Sequence, residues 1–248
     1  MNPNPFRRIH AHYPLIPFAG AFALAMVAAL VTTAQPGRVF PPGQRAVIFD
    51  ERLSALRARP DVKAPLKQRM RRGRRVGVLG AAVARDGAKF FRVAVSRNTR
   101  GWVLTDAVIR PGVAADAEKL MRLIEKTEDE FTKARLAKLC AEEFRATEFA
   151  PKSLIILARS AEVAAERLSR DAKRRAGDGE SNAGMSKRNV MLNYVGLDRY
   201  NRIGVTFDYD EAADRVVYDG EAYRELLRRY PRSAEARTAR ESAGKEVQ

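Results

Sequence analysis

Histidine, cysteine and tryptophan are nearly missing from this chain of 248 residues, which has two His, one Cys and one Trp. Both histidines, His10 and His12, precede an apolar run. The body of the chain therefore lacks an imidazole for a nucleophile–base pair or a zinc site. A single cysteine, Cys140, forms no internal disulfide, which excludes a disulfide-stapled scaffold. No phosphate-cradling glycine loop is present, because Gly244-Lys245 lacks both the following hydroxyl and the upstream glycine. Adjacent carboxylates such as Glu142-Glu143 point about 100° apart on a helix and make no acid/base pair on one face. Ser242 and Lys245 match a Ser-x-x-Lys spacing only within a polar tail. These absences point to a non-enzymatic protein with no catalytic residues, no cofactor and no metal.

Cation is plentiful. The chain carries 46 Lys+Arg against 30 Asp+Glu, a net charge of +16, and is 46% hydrophobic, enough to bury a core. Residues 1–110 hold 20 basic and five acidic side chains, so +15 of the +16 lies there. The remainder is nearly neutral and dense in both signs, as solvated helix faces are. A basic half implies an anionic partner: nucleic acid, anionic lipid or cell-wall polymer.

Phe6-Arg7-Arg8 precedes a run without charge from Leu15 to Ala34. Basic residues, an apolar stretch and the small Thr32-Thr33-Ala34 end read as a cleaved signal peptide, while the 20-residue length also suits an uncleaved membrane anchor. Either would export the rest, with Arg7 and Arg8 holding the amino end in the cytoplasm. Export makes nucleic acid an unexpected partner and places the protein in the periplasm or cell envelope, anchored in the inner membrane if residues 15–34 are retained. Cys140 is too far from this run to be a lipid attachment site.

Short apolar segments broken by turns follow: Arg75 to Leu79 after Gly73, then Phe91, Val93 and Val95 alternating after the Asp86-Gly87 turn signal, then Arg100 to Leu104. They predict a small all-β barrel. Leu56-Arg57-Ala58-Arg59-Pro60, the basic stretch from Leu66 to Gly80, Phe91 to Val95 and Gly101-Trp102-Val103 together resemble a bacterial SH3-like domain. That resemblance implies a binding module for wall peptides, glycans or proteins. In it Gly101 allows a tight turn and Trp102 plugs the barrel core, a ligand platform being the other reading of Trp102. Arg69, Arg71, Arg72, Arg74 and Arg75 surround the Gly73 turn, either as a solvated hairpin tip or as an anion-contacting edge.

From Asp116 the apolar period changes to 3.6. Leu120, Leu123 and Ile124 share a face, as do Leu136, Leu139, Cys140 and Phe144, with Cys140 as a small core residue. After Pro151-Lys152-Ser153 an Ala-rich helix follows, and the same design recurs around Pro231-Arg232-Ser233. The segment Tyr223 to Ser233 resembles tetratricopeptide-like hairpins of bacterial envelope proteins, which implies a protein-interaction surface. Between the repeats, alternation at Ile203, Val205, Phe207 and Tyr209, then Val216 and Tyr218, predicts a β-hairpin. Its Asp208, Asp210 and Asp214 lack the Gly and Glu positions of a calcium loop and read as an acidic tip.

The expected fold class is α+β and multidomain. Residues 1–34 form a signal peptide or membrane anchor helix, 35–50 a linker and 51–112 a small SH3-like β-barrel. Residues 113–176 form a helical hairpin and 177–188 a flexible loop. Residues 189–240 form a helix, the β-hairpin and a tetratricopeptide-like hairpin, and 241–248 a tail. The expected function is a cell-envelope binding or scaffold protein. Its basic barrel would meet peptidoglycan or an envelope protein, through Arg69, Arg71, Arg72, Arg74, Arg75 and Trp102, and its helices would hold another protein. A nucleic-acid-binding barrel and a wall-lytic enzyme using carboxylates alone are the alternatives.

Overall fold

A computed structural model of the chain describes residues 45–177, 184–193 and 195–245. The expected leader at 15–34 lies outside them. No helix among the described residues is long and apolar enough to cross a membrane.

The first half is a seven-stranded antiparallel sheet of β1 (Arg45–Ile48), β2 (Ala55–Arg57), β3 (Leu66–Arg69), β4 (Arg75–Val83), β5 (Lys89–Ala94), β6 (Arg100–Leu104) and β7 (Val108–Ile109), in the order β3-β2-β6-β5-β4-β1-β7. β4 and β5 form the hairpin that Asp86-Gly87 signals: Gly87 takes the left-handed conformation at φ 83°, and the Ala88 amide donates to Asp86 Oδ1 at 3.0 Å. Alternation in β5 turns Val93 inward to a cluster with Ala46, Ile48, Leu56, Val76 and Val103. No α-helix contributes to that cluster, so its side chains are shielded by one another and the sheet curls around them.

The curl stops short of the predicted SH3-like barrel. β3 and β7 are the two edges, and each pairs on one side only, with β2 and β1 respectively. The reason lies at β1 and β7. Val47, Phe49 and Ile109 point away from the sheet's own core and join the helical core instead. That edge is thus occupied by helices rather than by β3. Residues 45–48, expected in a linker, supply the strand that makes this join. Among the described residues the sheet and the helices belong to one compact unit.

The second half contains α1 (Ala114–Glu125), α2 (Glu130–Glu143), α3 (Phe149–Gly177), α4 (Lys187–Leu192), α5 (Val195–Asn201), the hairpin β8 (Phe207–Asp210) and β9 (Arg215–Tyr218), α6 (Glu221–Arg229) and α7 (Ala234–Lys245). Asp129 caps α2 by accepting the Thr132 amide at 2.7 Å. Pro151 is tolerated because it falls in the first turn of α3, where amide donors have no helical partner. Ala150, Ala158, Ala161, Ala164 and Ala172 are fully buried along α3, and their small side chains let α2, α6, α7 and β9 pack around this one helix. Both helix pairs and the β-hairpin share the core organised by α3.

Two ionic clamps tie sheet to helices. The Glu143 carboxylate, 5% exposed, receives Arg45 and Arg75, each at 3.1 Å. Asp116 accepts both the backbone and the Nε of Arg110 at 2.9 Å at the start of α1.

Candidate functional site

β6 decides which side of the sheet Trp102 occupies. Successive side chains on a strand alternate, and here Gly101 and Val103 are buried while Trp102 is half-buried on the outer face. Trp102 is thus no core plug. Gly101 also serves a purpose other than a turn. A Cβ placed on it would lie 2.7 Å from the Arg57 carbonyl oxygen and 2.7 Å from Leu56 Cγ, so its bare α-carbon allows β2 to close onto β6.

Trp102 lies directly across from Arg57 on β2 and from Arg92 on β5. The row continues to Leu66 beyond Arg57 and to Gly80 beyond Arg92. Directly paired residues share a face, so Leu66, Arg57, Trp102, Arg92 and Gly80 form one line across five strands. That line holds no acidic side chain. Arg92 and Gly80 are exposed, and Leu66 is 50% exposed. Arg57 is held in place by donating from Nη1 to the Ala64 carbonyl at 2.7 Å. Arg100, two residues before Trp102, adds a third cation to the same face, and Lys67 donates to the Arg100 carbonyl at 2.8 Å. A tryptophan between two guanidinium groups presents a flat apolar ring with donors on either side. Such a surface suits a ligand carrying both apolar ring faces and carboxylates.

The predicted arginine cluster is divided by the fold. Arg69 is exposed on the edge strand β3 and Arg71 is exposed in the turn after it. Arg72 is half-buried, donating from Nε to the Phe49 carbonyl at 2.8 Å while its amide donates to Glu51 at 2.7 Å. Burial pushes this guanidinium below its ordinary value, Glu51 opposes the shift and Arg135 reinforces it. Arg74 reaches the Val95 carbonyl at 3.5 Å, and Arg75 is committed to Glu143. None of the five joins the Trp102 line, which meets β4 at Gly80 rather than at its Arg75 end. Arg57 and Arg92 become neighbours of Trp102 only through strand register, which their spacing in the sequence does not set.

The remaining candidates are buried or already partnered. Cys140 is buried, and that burial pushes its thiol up to about 11, leaving it protonated. Two of the three hairpin acids are engaged by cations, Asp208 by Arg188 and Asp214 by Lys187 at 3.0 Å and Lys173 at 3.4 Å, while Asp210 accepts the Ala212 and Ala213 amides at 3.0 and 3.1 Å. Among the described residues no group of His, Cys, Asp or Glu is placed to hold a metal. Comparison with protein-family models, curated proteins and solved structures finds no match to this chain.

Proposed function

We propose that this chain is a non-enzymatic binding protein of the cell envelope, exported or anchored by residues 15–34, that holds peptidoglycan on the outer face of its sheet. The single observation that carries this reading is the Arg57–Trp102–Arg92 line. Peptidoglycan offers sugar rings with apolar faces and stem peptides with carboxylates, and the line offers a ring and two guanidinium groups to match. The concentration of positive charge in residues 1–110 favours approach to such a polymer.

Co-sedimentation of the full chain with purified sacculi at low salt tests the proposal. Retention is expected, and Trp102→Ala or Arg92→Ala should weaken it about tenfold, equivalent to about 1.4 kcal/mol. Absence of retention at low salt, or equal retention of both variants, would overturn it. An acidic envelope protein is a second reading, favoured by exposed Arg69 and Arg71 along the open β3 edge. Retention on sacculi that resists Arg69→Ala/Arg71→Ala but not Trp102→Ala separates the two.

A further inference from the structure

The turn between β3 and β4 faces α2 across a groove of about 270 Å³. Its walls include Arg72, Gly73, Arg135, Lys138, Glu142 and Arg202. The four cations come from three distant parts of the chain: the turn, α2 and the segment after α5. They face a single carboxylate on the wall, with Glu51 beside Arg72 and Arg135.

The cations are positioned by the backbone. Arg135 donates to the Arg72 carbonyl at 3.0 Å, and Lys138 donates to the Gly204 carbonyl at 3.2 Å. Gly204 is left-handed at φ +67°, and a Cβ there would lie 3.2 Å from the Lys138 Nζ, so a glycine suits this approach. These bonds use one N–H of Arg72, one of Arg135 and one of Lys138, out of five on each guanidinium and three on the ammonium. Arg202 is exposed at the rim. Arg135 also pairs with Glu51 at 3.6 Å and Lys138 with Glu142 at 3.9 Å, so four cations meet two carboxylates, and an excess of positive charge with donors to spare is left to attract an anion.

We infer that this groove binds a compact tetrahedral oxyanion of the phosphoryl class. Its volume falls below the roughly 300–1,000 Å³ of sites for drug-sized ligands. A carboxylate offers two oxygens in one plane and is satisfied by one guanidinium. A phosphoryl group offers oxygens in several directions and more than one negative charge, matching donors that converge from three segments. The site is separate from the Trp102 face, and either can stand without the other.

The test titrates pyrophosphate and inorganic phosphate into the full chain by calorimetry at constant ionic strength, with chloride as the comparison anion. Saturable binding of pyrophosphate is expected, weakened about tenfold or more by Lys138→Gln/Arg202→Gln and unchanged by Trp102→Ala. Arg202→Gln alone, which preserves every bond described above, should weaken it in the same direction. Co-sedimentation with phosphatidylglycerol vesicles against phosphatidylcholine vesicles identifies the source. Dependence of vesicle binding on Lys138 and Arg202 assigns the phosphoryl group to a lipid headgroup, and pyrophosphate binding alone assigns it to a soluble ligand. No saturation beyond chloride, or equal affinity in the glutamine variants, would overturn the inference.

Discussion

Gly101→Ala places a methyl group where β2 and β6 touch. The new Cβ would lie 2.7 Å from a backbone oxygen of Arg57 and 2.7 Å from Leu56 Cγ. Overpacking a tight core costs typically about 1–3 kcal/mol. The upper part of that range applies here, because the Arg57 carbonyl is part of the sheet and has no rotamer to escape into. A loss of about 2–3 kcal/mol lowers the melting temperature of a chain this size by about 4–12 °C. Gly80→Ala is the internal control. It lies in the same sheet with a backbone that L residues adopt, and its Cβ meets nothing within 4 Å. Its melting temperature should stay level or rise, since a less flexible unfolded chain contributes about 0.4–1 kcal/mol of stability. Urea titration and thermal melts of the three proteins provide the measurement. Adding Leu56→Ala to Gly101→Ala removes one of the two contacts, so the double variant should lose less than the sum of the singles. Equal melting temperatures for Gly101→Ala and the wild type, or an equal fall in Gly80→Ala, would refute the close-approach account.

The Glu143 clamp predicts an asymmetry between its partners. The carboxylate is 5% exposed, whereas Arg45 and Arg75 are 43% and 61% exposed. Glu143→Gln frees two cations that water still reaches, a loss of about 1 kcal/mol, whereas Arg45→Ala/Arg75→Ala strands a buried charge and should cost about 3 kcal/mol in denaturant titrations. Asp214 predicts an acid transition in the β8–β9 hairpin. Its hydrogen bonds from Tyr209 and Lys187 lower its carboxyl from 3.8 to about 2. The folded carboxyl is the stronger acid, so its stabilising contribution is complete above 3.8 and is lost as pH falls toward 2. Amide exchange of Val216 and Tyr218 should rise across that window, and Asp214→Asn should remove this dependence.

Much of the local structure was legible because periodicity is a property of the sequence. Period-2 alternation marked β5 and the β8–β9 hairpin, and the 3.6 period marked α1, α2, α3 and α6. Trp102 was misplaced for a specific reason. In Gly101-Trp102-Val103 alternation states that Trp102 opposes its neighbours, but not which set faces the core. Size suggested the tryptophan, whereas the packing of Leu56 against the bare Gly101 selected glycine and valine. The arginine cluster was legible as charge, but the partners that divide it were not. Glu143, which occupies Arg75, lies 68 positions away, and Arg135, which holds the Arg72 carbonyl, lies 63 away.

By itself the amino-acid sequence determined the positions of most strands and helices, the concentration of positive charge in the first 110 residues and the absence of histidine from the body of the chain. Those properties reside in single residues or in neighbours a few positions apart. Only the tertiary structure decided that the sheet stays open, that Trp102 faces outward between Arg57 and Arg92, and that four cations from three segments line one groove. Each of those depends on contacts between residues far apart in the chain, where register and the competition between helix and strand for one sheet edge set the outcome.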